Sequence, residues 1–145
     1  MAAVGAGEDL PIYYSYYDSP VKIVAAEDGT PQVWRVAMET GGWQRDDSIL
    51  GELVFATAGE VSKRSAEEFV QDVERYRSDY LSGDGPIFAL YETAAAVLDS
   101  ARNERRRPTA REQTIVRGIR RRTFIMFEEA LRSAGDPAAD PDVGG

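Results

Sequence analysis

The sequence predicts an α+β fold: a small antiparallel sheet of three to four N-terminal strands, covered on one face by three C-terminal helices. Three observations carry that expectation. Aromatic and β-branched residues cluster before residue 57, in short runs separated by Pro, Gly and Asp. Apolar residues recur at helical spacing after residue 65. Strands come first and helices afterwards, without alternation, which favours helices gathered on one side of an antiparallel sheet.

Residues 1–11 are small, Gly-rich and end in Pro11, and read as a flexible arm with neither the basic start nor the apolar core of a signal peptide. The IYYSYY run at 12–17 reads as the first strand, with Tyr14 and Tyr16 towards the core and Tyr13 and Tyr17 half-covering the other face. Residues 21–26 give a second strand, and Asp28-Gly29 supplies a turn able to take positive φ. The third strand is QVWRVAME at 32–39, with Trp34, Val36 and Met38 on one face. Gly41-Gly42 turns the chain again, and Trp43 could begin a fourth strand. Residues 46–57 fit either a short helix or an edge strand. The spacing of Ile49, Leu50, Leu53 and Val54 favours a helical turn capped by Asp47 or Ser48.

Ser65-Ala66-Glu67-Glu68 is a capping-box signature that opens a helix over about 65–81. Gly83, Gly85 and Pro86 end it, and a second helix spans about 87–104. Pro108 breaks the chain, and Thr109-Ala110-Arg111-Glu112 is a second capping box opening a helix over about 109–133. One domain over 12–134 is therefore expected, followed by a disordered acidic tail at 135–145.

Composition narrows the chemistry. The 145 residues include neither cysteine nor histidine, and lysine only at Lys22 and Lys63. That removes disulfides, the usual thiolate nucleophile, the commonest general base and the usual ligands of zinc or haem. The acidic pairs Glu27-Asp28, Asp46-Asp47 and Glu67-Glu68 fall in turns or helix starts and lack calcium-loop spacing. No catalytic residue, metal site or cofactor is expected. No apolar run is long enough to span a bilayer, and a cytoplasmic location is the default.

The net charge is −8, yet residues 102–122 hold nine arginines against Glu104 and Glu112. On a helical wheel Ile115, Val116, Ile119, Thr123, Met126, Phe127, Ala130 and Leu131 form the core arc of the last helix. Arg117, Arg121, Phe124 and Ile125 then share its outward side. Arginine beside exposed apolar area is the composition of an interface. The first expectation is a non-enzymatic protein-interaction module, binding a partner protein or a second copy of itself, as small acidic immunity, antitoxin, inhibitor or adaptor domains do. The second is nucleic-acid binding through phosphate contacts from Arg105, Arg106, Arg107, Arg111, Arg120 and Arg122. An enzyme of unknown reaction ranks third. The arginines could instead pair with the acidic helix at 67–79 or remain solvated.

Overall fold

Alternation along the strands puts apolar side chains on both faces of the sheet, and both faces are covered. The computed structural model describes residues 3–4, 8–56 and 59–143. In the arm, β1 (Ala3–Val4) pairs antiparallel with β2 (Glu8–Asp9), and Leu10 packs on the core. Residues 1–2 and 5–7 of the predicted flexible arm lie outside those described.

β3 (Ile12–Tyr16), β4 (Ser19–Ala25), β5 (Pro31–Val36) and β6 (Trp43–Arg45) form an antiparallel meander. Residues 46–56 then cross one face, and β7 (Val61–Arg64) joins the far edge beside β3, giving the order β6-β5-β4-β3-β7. The α+β class is as expected, with five strands in place of three to four. β7 has one apolar residue in four, so only its pairing with β3 reveals it.

The crossing segment is helical: a 3-10 turn (Asp47–Ile49) leads into α1 (Leu50–Phe55). The cap is Asp46, whose carboxylate accepts from the Ser48 amide, while the Asp47 carboxylate accepts from the Val33 amide on β5. Ile49 and Leu53 pack with Ile12, Tyr14, Val21, Ile23 and Val33 into one core. Tyr13, Lys22, Trp34, Val36 and Trp43 point the other way, so Tyr13 is as buried as Ile12, and within the 12–17 run Tyr17, in the turn, is the widely exposed tyrosine.

Helix α2 (Ala66–Tyr80) lies on that second face, placing Phe69, Val70 and Val73 over Tyr13, Val36 and Trp43. Its capping box forms as expected, with the Glu68 amide donating to Ser65 Oγ at 3.1 Å and the Ser65 amide to Glu68 Oε1 at 2.9 Å. Helix α4 (Ala110–Ser133) packs beside α2, and α3 (Pro86–Asn103) packs on α4. The three helices thus form one layer, with α2 against the sheet centre and α4 reaching it at Trp43. Gly41, at φ 76°, lets the β5–β6 turn press on this layer. A Cβ there would lie 2.6 Å from Phe127 and 2.7 Å from Leu81.

The segment after α4 corrects the disordered-tail expectation over its described part. Residues 135–143 fold back on the sheet, burying Ala138 and Pro141. Polar anchoring explains it: Asp136 accepts from the Trp43 amide at 2.9 Å, and the Asp140 amide donates to Glu128 at 2.9 Å. Among the described residues no helix is long and apolar enough to cross a membrane.

Candidate interaction surface

What α4 presents outward is decided by what it buries. The centre of the helical layer is ionic: Arg77, Glu74 and Glu128 are each 0% exposed. The Arg77 guanidinium donates to Glu74 at 2.9 Å, to Glu128 at 2.6 Å and to the Gly41 carbonyl at 2.9 Å, and lies 4.1 Å from the Phe127 ring centre. Trp43 Nε1 donates to both Glu128 oxygens, at 2.9 and 3.1 Å, and the Tyr91 hydroxyl donates to Glu74 at 2.8 Å. Burial pushes the Glu74 carboxyl above its ordinary range, and burial beside Glu74 raises the Tyr91 hydroxyl.

Lys22 extends this network from β4. Its ammonium sits 4.1 Å from the Trp43 ring centre and donates to the Ala138 carbonyl. Burial lowers its pKa to about 8, outweighing the pull of Glu128 and Asp140. Between about 8 and the ordinary lysine value the unfolded chain binds the extra proton, so stability from this group rises with pH across that window. We expect wild-type unfolding free energy to gain on the order of 1–3 kcal/mol from pH 7.5 to 9.5. A Lys22→Met variant should be flatter, and equal slopes in the two urea titrations would refute this.

This network rotates α4 relative to the wheel drawn from sequence. Phe124, expected on the outward side, is 1% exposed and packs in the core, while Ile115, expected in the core, is 41% exposed. Val116, Thr123, Phe124 and Glu128 are buried. The buried arc is displaced by roughly 70° at about 100° per residue. The cause is Glu128, a carboxylate made tolerable at the core by Arg77 and Trp43.

The expected partner surface is therefore redistributed. Arg117 and Arg121 lie on the flank facing α2: the Gln71 amide donates to the Arg117 carbonyl, and Arg121 pairs with Glu67 at 3.0 Å. Of the four, Ile125 stays on the outer side, half-buried beside Glu129 and Pro141.

The expected phosphate set does not converge either. Arg106 pairs with Glu112 at 2.7 Å and with Glu104 at 3.3 Å. Those contacts raise the Arg106 pKa and hold the Glu112 carboxyl down to about 2. Arg120 is half-buried in a groove of about 170 Å³ between the helices, with Arg75, Asp79 and Arg102. Burial, then the nearby Arg75, lowers its pKa. Arg111 and Arg122 are exposed on the opposite side of α4, and Arg105 and Arg107 are exposed in the preceding turn.

The outer face of α4 carries Arg111, Ile115, Gly118, Arg122, Ile125 and Glu129, separated by steps of four and three residues. Arg111, Arg122 and Glu129 are exposed and make no ion pair among the described residues. A Cβ on Gly118 would meet only the Arg121 guanidinium, at 3.9 Å. The repeat is legible in the sequence, but the expected arc assigns Ile115 to the core and places Ile125 alone of the six on the outward side. Among the described residues no cluster of acids is placed to hold a metal ion. Comparison with family models, curated proteins and solved structures finds no match in any of the three.

Proposed function

We propose that this chain is a non-enzymatic, cytoplasmic protein-interaction module that binds through the outer face of α4. The observation that carries the reading is the face itself: isoleucine and arginine side chains along a 24-residue helix, with the cations unpaired and the mid-helix glycine bare. Arginine beside apolar area is the composition of interface hot spots. The buried acids give no comparable support to catalysis, because Glu74 and Glu128 spend their oxygens on Arg77, Tyr91 and Trp43 inside the core. Nucleic-acid binding is less well supported, since Arg106 is neutralised locally and Arg120 faces away from Arg111 and Arg122.

A photo-crosslinking residue placed at Ile115 tests this, with one at the exposed Thr93 of α3 as control. In the native cell the Ile115 probe should give discrete protein adducts that survive nuclease treatment, and the Thr93 probe should not. Adducts removed by nuclease, or none from Ile115, would overturn the reading.

A further inference from the structure

We infer that the occupant of this face is a second copy of the chain, docked with its α4 antiparallel about a two-fold axis level with Arg120. The inference rests on the interaction reading above and names the partner. Pairing each stripe position with the one equally far beyond Arg120 sets Arg111 against Glu129, Ile115 against Ile125, and Gly118 against Arg122. Every position finds a complement.

Three physical features converge on this register. A stripe whose positions recur every seven residues, 111, 118 and 125 with 115, 122 and 129, stays against a neighbouring helix crossing at about 20°. Arg111 lies in the first turn of α4 and Glu129 near its end, so each charge opposes its own helix dipole. In an antiparallel pair each lies beside the other, and the groove holding Ile125 is lined by Glu129 and Asp142 against Arg132, a net acidic seat for the incoming Arg111. Gly118 weakens a helix interior, and only the tip of Arg121, 3.9 Å from a Cβ built there, approaches the space. The aliphatic stem of the partner's Arg122 fits across that gap.

The parallel alternative would set Arg111, Arg122 and Glu129 each against its like, so the charges also select direction. The isologous contact spans about 27 Å of helix. It lies near the lower end of stable interfaces, about 1,000–1,200 Å², so a micromolar, concentration-dependent dimer is expected.

Sedimentation velocity over a micromolar to sub-millimolar series tests the pairing. Arg111→Glu and Glu129→Arg alone should each weaken dimerisation by about tenfold or more, and the double reversal should recover most of it. Because the chain has no cysteine, an introduced thiol also reports direction. Mixing Ile115→Cys with Ile125→Cys should give a disulfide-linked dimer, and neither variant alone should. A monomer throughout the series overturns self-pairing. So does a dimer indifferent to charge reversal, or one crosslinked by Ile115→Cys alone. If the monomer's Ile115 probe still captures a different protein, the interaction reading stands and only self-pairing falls.

Discussion

Arg77→Met is expected to cost about 3–5 kcal/mol, enough to leave a domain of ordinary stability, about 5–15 kcal/mol, close to unfolding. The substitution keeps much of the stem volume and the contact with Phe127. What it removes is the charge that makes two fully buried carboxylates tolerable. Glu74 would keep Tyr91 as a donor, and Glu128 would keep Trp43 and the Asp140 amide, but both would be uncompensated anions. The Gly41 carbonyl would also lose its side-chain donor. Neutralising the acids separates charge from packing: Arg77→Met with Glu74→Gln and Glu128→Gln should recover a large part of the loss. Urea unfolding of the wild type, Arg77→Met and the triple variant measures this. A single Arg77→Met within about 1 kcal/mol of wild type would show that the network is not ionised as a unit.

The same network marks how far the sequence could be read. Helix starts were legible because they are local: Ser65 with Glu68 and Thr109 with Glu112 satisfy free amides within four residues. The first three sheet strands were legible as β-forming runs bounded by turns, and β6 only as a short strand that Trp43 could begin. β7 was not, because Val61–Arg64 has a pattern only when paired with β3. The face of α4 was misassigned because amphipathic reasoning sends carboxylates to solvent, whereas Glu128 is 0% exposed. Its partners, Arg77 and Trp43, are 51 and 85 residues distant. The outer stripe of α4 was thus present in the sequence as a spacing, and its orientation depended on contacts that no local window contains.

Deleting the chain after Gly135 is the second large effect expected, and it separates the structure most sharply from a disordered tail, whose loss would change nothing. Trp43 would lose the Asp136 acceptor for its amide, Lys22 the Ala138 carbonyl, and Glu128 the Asp140 amide. Ala138 and the half-buried Val143 would leave the cluster around Trp43 and Phe69. Water can replace some of these hydrogen bonds at the newly opened edge, which limits the cost to about 2–4 kcal/mol, or roughly 10 °C in melting temperature. Asp136→Ala should reproduce about 1–2 kcal/mol of it, as the loss of two charge-assisted hydrogen bonds, from the Trp43 and Ala138 amides. The pH response supplies an independent readout. The Lys22 pKa is lowered mainly by burial, and the 136–143 segment provides part of that cover. Truncation should therefore return the amine towards its ordinary range and flatten the rise in stability between pH 7.5 and 9.5. A truncated chain that melts with the full-length protein and keeps the same pH slope would show that the segment leaves the sheet in solution.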